Sequence, residues 1–262
     1  MSDTALRLQE VSKRFDLGRG QSVLAVDRIG FAVPRNSICV LLGPSGCGKS
    51  TILRMIAGLE QPTSGEIALN GHVVQGPGRD RGMVFQAYTS FEWLSVRRNV
   101  EFGMKINGIP RAERRERAER FISLVGLGKF AEAYPSQLSG GMRQRVAIAR
   151  TLANGPDLLL MDEPFGALDA ETRWQMQELM ISIAREARTG MVIVTHDIEE
   201  AIFLADRIVF LSSHPGRLKE EIIPEFKKGT RVASKEELIQ MSGYAELEAR
   251  IMRLMREEGR QE

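Results

Sequence analysis

Long apolar runs are missing from this 262-residue sequence. None approaches the roughly 20 residues that span a bilayer, so if the protein works at a membrane, another chain must hold it there. Cysteine is scarce, with only Cys39 and Cys47, which argues against a disulfide framework and suits a reducing compartment. Charge of one sign is lacking too. The 36 Lys and Arg against 34 Asp and Glu leave a formal net charge of +2. That creates no large field and no expectation of a nucleic-acid partner. The first residues, Met1-Ser2-Asp3-Thr4, have neither the basic nor the apolar region of a signal peptide. The expected compartment is the cytoplasm.

What is present reads as an α/β protein. Residues 37–42, Met83-Val84-Phe85, Leu158-Leu159-Leu160-Met161, residues 191–195 and residues 207–211 are short apolar runs, several separated by helical patterns. Short continuous runs of this kind are strands buried on both faces, as in a parallel sheet. Leu6, Leu8, Ile67 and Leu69 alternate with polar residues instead, which predicts an antiparallel N-terminal β-subdomain with one wet face. Residues 95–152 hold no convincing strand. Glu113/Arg117 and Glu116/Arg120 stand at i,i+4 spacing on a helix whose interleaved acids fit a solvated face better than a nucleic-acid patch. The expected organisation is a core over residues 1–220, with an inserted helical subdomain at about 88–155. A short helical tail over 221–262 carries an apolar stripe of Ile239, Leu247, Ile251 and Leu254.

Chemistry concentrates first at Gly43-Pro44-Ser45-Gly46-Cys47-Gly48-Lys49-Ser50-Thr51, between a predicted strand and a helical pattern over residues 51–57. The fixed positions of G-x-x-x-x-G-K-[ST] recur by chance in about one chain in a hundred of this length, and the strand–loop–helix context makes the match more specific. Glycines let backbone N–H groups curl around phosphate oxygens. The following helix turns its positive end to the anion. Lys49 reaches the β- and γ-phosphates, and the Ser50 hydroxyl is a Mg²⁺ ligand. Cys47 occupies a variable position of the loop, where packing and redox roles are the alternatives.

A second site element is the apolar run ending in Asp162-Glu163. An acid at the end of a buried strand is costly unless paired or metal-bound. Asp162 is placed to hold Mg²⁺, and Glu163, nearer the γ-phosphate, to orient or activate a water. An acidic helix cap is the alternative. His196 follows another buried run in the same way, at the strand edge where α/β ligands bind.

Leu138-Ser139-Gly140-Gly141-Met142-Arg143-Gln144-Arg145 opens a helical pattern with Ser139 and two glycines at its N-terminus. That is a second anion-binding end with neither lysine nor metal ligand. One nucleotide does not need two such ends from one chain, whereas a site between two subunits uses both. An N-cap accounts for Ser139 but not for the paired glycines.

With these segments in hand, residues 5–220 resemble the ABC ATPase family. Residues 138–142 are similar to its LSGGQ signature, with Met142 in place of Gln. Gln86 corresponds to the Q-loop glutamine, Ala167-Leu168-Asp169 to the D-loop after Gly166, and His196 to the switch histidine. Phe15 stands where an aromatic ring stacks on adenine. The resemblance implies a P-loop fold with ATP and Mg²⁺ as ligands, the metal held by Ser50, Gln86 and Asp162. It implies catalysis by Glu163, His196 and Gln86, and a homodimer in the ATP-bound state. Each ATP would then lie between Lys49 of one copy and the Ser139, Gly140, Gly141 and Met142 turn of the other.

The single cassette resembles the ATPase of a bacterial importer at the cytoplasmic face of the inner membrane. Its partners would be transmembrane permease subunits and a periplasmic or lipid-anchored substrate-binding protein. Residues 23–27 and Ser213-His214-Pro215-Gly216-Arg217 are similar to the nitrate/sulfonate/taurine importer group. Phe91 and Trp93 are candidates for the permease contact or for the core. The alternative is a soluble ABC ATPase serving cofactor assembly.

Overall fold

The elements of the computed structural model, which describes residues 4–85, 89–187 and 189–259, follow the apolar patterning closely. The first are β1 (Thr4–Gly18), β2 (Gln21–Pro34), β3 (Ile38–Leu42), α1 (Lys49–Ala57), β4 (Ser64–Leu69), β5 (His72–Val73) and β6 (Arg81–Val84). Helices α2 (Val96–Ile106), α3 (Arg111–Leu124) and α4 (Gly140–Leu152) come next. Then β7 (Leu158–Asp162), α5 (Ala170–Glu186), β8 (Gly190–Thr195), α6 (Ile198–Leu204) and β9 (Arg207–Leu211) alternate. The chain closes with β10 (Leu218–Ile222), α7 (Lys235–Gln240) and α8 (Tyr244–Glu258).

Six strands form the central sheet in the order β10-β9-β3-β8-β7-β6. β9, β3, β8, β7 and β6 run parallel, and β10 is antiparallel at the edge. The continuous apolar runs are explained by burial on both faces, divided by parity. Ile38, Val40, Leu42, Leu159, Met161, Met191, Ile193, Ile208 and Phe210 enter one buried cluster with the helices α2 to α6. Cys39, Leu41, Leu158, Leu160, Val192, Val194, Val209 and Leu211 enter another with Ile52, Leu53 and Ile56 of α1. Side chains alternate across a strand, so each run must be apolar throughout.

The second sheet, β2-β1-β4-β5, is antiparallel. Leu6 faces Leu69 and Leu8 faces Ile67; all four are buried, whereas Arg7 and Gln9 are exposed. The buried four join the α1 cluster, so α1 is held on both sides and the loop before it is anchored. No strand interrupts the described residues between β6 and β7.

Four details differ from the sequence reading. Phe85 lies beyond β6. In α3, Arg117 pairs with Glu113 as expected (2.7 Å), but Arg120 lies over the Phe121 ring, and Glu119 takes Arg115 and Arg97. In the tail Leu238 is buried in place of Ile239, which is 53% exposed; Leu247 and Ile251 are buried as expected and Leu254 is half-buried. The boundary expected at residue 220 falls inside β10.

Candidate active site

The buried β3 ends at Leu42, and the chain turns through glycines before α1. Gly48, the residue before the helix, has φ 91°, and Gly46 has φ 77°, values a side chain would strain. A Cβ on Gly43 would stand 2.8 Å from the Leu211 carbonyl oxygen and 3.0 Å from Cys47 Sγ. The first turn of α1 has no acidic residue and no side-chain cap, so its amides suit an external anion.

Lys49 is only 5% exposed. Its ammonium donates to the Gly43 and Pro44 carbonyls at 2.7 Å each. A buried cation held by carbonyls and not by a carboxylate is matched to a phosphate that enters beside it. Removing it should weaken MgATP binding by about 10–100-fold, the worth of a charged hydrogen-bond partner. Titration calorimetry of Lys49→Ala checks this, and parent-like affinity would show that the loop has been misread. Cys47 is fully buried, and burial pushes its thiol above the ordinary value. This is the environment of a packing residue, not of a reactive thiolate.

The Ser50 hydroxyl donates to Asp162 Oδ1 at 2.8 Å. Two hard oxygen ligands thus converge from α1 and from the end of β7. Among the described residues no group of three or more His, Cys, Asp or Glu is arranged around a metal. A hydroxyl and a carboxylate side by side are a donor set that fits Mg²⁺, which accepts one or two protein oxygens and completes its shell with phosphates and water. Gln86, the third expected ligand, lies outside the described residues.

Glu163 leaves β7 in the left-handed region, φ 44°, a conformation costing a non-glycine residue about 1–3 kcal/mol and found where function over-determines the backbone. Its N–H donates to the Val194 carbonyl (3.0 Å). The carboxylate Oε1 stands 3.3 Å from His196 Nδ1, beyond the end of β8. Since β8 lies between β3 and β7, the histidine strand is flanked by the phosphate-loop strand and the acid strand.

Behind this pair is a residue the sequence reading did not single out. Glu200 of α6 is 5% exposed and lines the small cavity that Glu163, His196 and Arg173 also line. Burial, with Asp197 alongside, pushes its carboxyl up to about 8, against the pull of Thr195, Arg173 and Gln177. The spacing Asp197-Ile198-Glu199-Glu200, an Asp N-cap that accepts from the Glu200 N–H at 3.0 Å, was the available signal. Between its ordinary value of 4.5 and about 8, the folded protein holds a proton that the unfolded chain has lost. Stability should therefore fall as pH rises through that window. Urea midpoints of parent and Glu200→Gln at pH 5, 6.5 and 8 should converge at high pH or cross in favour of the variant. Parallel curves would rule the proton out.

Ser139 caps α4, accepting from the Met142 N–H at 3.3 Å, with no acid in the first turn. Met142 packs against the core and leaves the turn to small residues. Gly141 has a packing reason of its own: a Cβ there would lie 2.4 Å from Thr172 Cγ2. Thr172 in turn donates its N–H to Asp169, the cap of α5, at 3.0 Å, which holds that carboxyl below its ordinary value. The Ser139 turn and the Asp169 turn are therefore one packed unit. Phe15 is half-buried on β1 opposite Val23, with the Lys13 ammonium 4.9 Å from its ring centre.

A glycine loop with a buried lysine and a strand-end acid, on parallel strands that flank a histidine strand, make the layout of P-loop ATPases. Comparison with known proteins narrows it. The ABC transporter family matches residues 26–166. The nitrate import ATP-binding protein NrtD of Synechocystis is 49% identical over 83% of this chain and 81% of its own length. The taurine import ATP-binding protein TauB of Ruegeria pomeroyi is 42% identical over 96% of this chain and 94% of its own. A dimeric ATP-binding cassette solved in a post-hydrolysis state with ADP and Pi superposes with TM-score 0.72 at 33% identity, covering 83% of this chain and 98% of that one. The chain belongs to the ABC transporter family, and it is an ATPase.

Proposed function

We propose that the chain drives uptake of small anions of the nitrate, sulfonate and taurine kind through a separate permease. It would work at the cytoplasmic face of the inner membrane, beside a periplasmic or lipid-anchored binding protein. The import relatives support the substrate class. No helix among the described residues is long and apolar enough to cross a membrane, so coupling needs a docking face. The observation that carries one is Trp93, 72% exposed, with its ring 5.4 Å from that of Phe91, which lines a groove of about 370 Å³ together with Met83, Phe102, Ile106 and Arg150. Phe91 is fixed beneath it, 4.4 Å from Phe102 with the Arg150 guanidinium over its ring. A groove with an aromatic floor and with Arg79, Arg81 and Arg150 in its walls accepts an amphipathic helix of a permease.

In this reading ATP lies in the loop over residues 43–51, with Lys49 on its β- and γ-phosphates and adenine on Phe15. Its far side is closed by Ser139 of the partner subunit. Ser50, Asp162 and Gln86 would hold Mg²⁺, which when bound neutralises phosphate charge. Glu163 takes the proton of the attacking water, and His196, one contact away, steadies the γ-phosphate. ATP binding favours the closed dimer, and hydrolysis reopens it.

Affinity capture of tagged Glu163→Gln protein with ATP from native membranes tests the assignment. A multispanning permease and a binding protein should be recovered, and Trp93→Ala in the same background should recover much less permease. Recovery of soluble partners alone would leave an ATPase and overturn the transport role.

A further inference from the structure

The two segments that carry the resemblance to the nitrate/sulfonate/taurine group meet in space, and they meet on the phosphate loop. Gly216 donates its N–H to the Ala25 carbonyl (3.0 Å), and its carbonyl accepts from the Asp27 N–H (2.9 Å). The Arg217 guanidinium closes on Asp27 Oδ2 at 2.9 and 2.7 Å. A Cβ on Gly216 would stand 2.0 Å from the Cys47 carbonyl oxygen, and one on Gly48 would stand 2.9 Å from the Ala25 carbonyl oxygen. Backbone is thus packed against backbone on both sides of the Cys47–Gly48 peptide. That peptide is planar and trans, so a wall against its carbonyl also sets the direction of the Gly48 N–H, one of the amides at the phosphate-binding end of α1.

The outer end of this loop is tied to the end of the chain's last helix. Glu258 closes α8 and is only 2% exposed. Its Oε2 accepts from the Ser213 N–H (2.7 Å) and hydroxyl (3.1 Å), and its Oε1 accepts from Lys219 (2.6 Å). The Ser212 hydroxyl accepts from the Arg217 N–H (3.0 Å), and the Ser212 N–H donates to the Arg217 carbonyl (2.9 Å), which closes the loop on itself. α8 is anchored in turn by buried Ile251 and Leu247 in the core. A buried carboxylate that fills its acceptors on one loop and one lysine is a rigid fixture, and its removal leaves the Ser213 N–H without its partner.

We infer that Glu258 is a positioning residue for the phosphate loop: through residues 213–217 it holds Gly216 against Cys47 and so sets the loop's affinity for nucleotide. The inference rests on the reading of residues 43–51 as the phosphate site.

The test is MgATP binding and steady-state hydrolysis by the full chain. Glu258→Ala should raise the Kd and KM for MgATP by about fivefold or more while kcat stays within about twofold. Glu258→Gln, which keeps an oxygen acceptor for Ser213, should recover most of the affinity. Arg217→Ala breaks the other end of the clasp at an exposed side chain and should raise Kd in the same direction, whether or not Glu258→Ala folds. A merely structural role would lower the melting temperature without moving Kd, and parent-like Kd in folded Glu258→Ala or in Arg217→Ala overturns the inference. Lys49→Ala is measured alongside. If it binds weakly while the clasp variants bind like the parent, the inference alone fails. If it too binds like the parent, the phosphate-site reading fails and the inference with it.

Discussion

Replacing Glu163 with glutamine should cut ATP turnover by about 10²–10⁴-fold, the usual worth of a general base, while ATP binding survives. Glutamine has the size of glutamate and keeps a carbonyl oxygen for the contact that Oε1 makes with His196 at 3.3 Å. The left-handed turn at residue 163 is held by the bond to the Val194 carbonyl and by the strand register of Asp162 beside Val194, neither of which uses the side chain. Only basicity is lost. In the proposed cycle hydrolysis reopens the dimer, so the variant should accumulate as an ATP-bound dimer. Phosphate release and light scattering with and without ATP measure the two halves. Turnover within about twofold of the parent would remove Glu163 from the base role. Loss of turnover together with loss of ATP binding would mean that the side chain builds the site and does not act in it.

That residue illustrates what a sequence discloses. An apolar run ending in two acids announces a buried strand with polar ends, and β7 is buried over its first four positions. The interiors of β3, β8 and β9 are apolar for the same reason, since a strand covered on both faces keeps its polar residues, Arg207 and Thr195, for its ends. β10 was not legible. Leu218-Lys219-Glu220-Glu221-Ile222 is an edge strand whose charged positions pair with Glu258, Arg250 and Arg207, all outside the strand. Local spacing also names more helix pairs than form: Arg120 lies over the Phe121 ring, and Arg97 of α2 reaches in from outside to take Glu119 of α3 together with Glu132. Glu200 and the Asp27–Arg217 clasp escaped for one reason: their partners are set by how α5, α6, β2 and α8 dock, not by neighbours in sequence. Phe91 and Trp93 show the limit most simply. Two residues apart and both aromatic, one is pinned under Arg150 and the other stands in solvent.

Ser139→Arg should abolish ATP-driven dimerisation and with it hydrolysis, although each chain still binds ATP through its own Lys49. The Ser139 hydroxyl occupies the amide end of α4. Arginine there removes the cap, at a cost of about 1 kcal/mol, and sets a long cation on a positive helix end. Cap loss alone is reproduced by Ser139→Ala, which should still dimerise, so the difference between the two isolates crowding at the interface. A mixing experiment decides whether the site is shared. If each ATP lies between Lys49 of one copy and Ser139 of the other, then Ser139→Arg chains mixed with Lys49→Ala chains assemble one dimer with one intact site and one doubly defective site. At an ATP concentration too low to load Lys49→Ala alone, ATP-dependent association and part of the hydrolysis should then return. If both groups served a nucleotide within one chain, every site in the mixture would carry a defect and mixing would restore nothing.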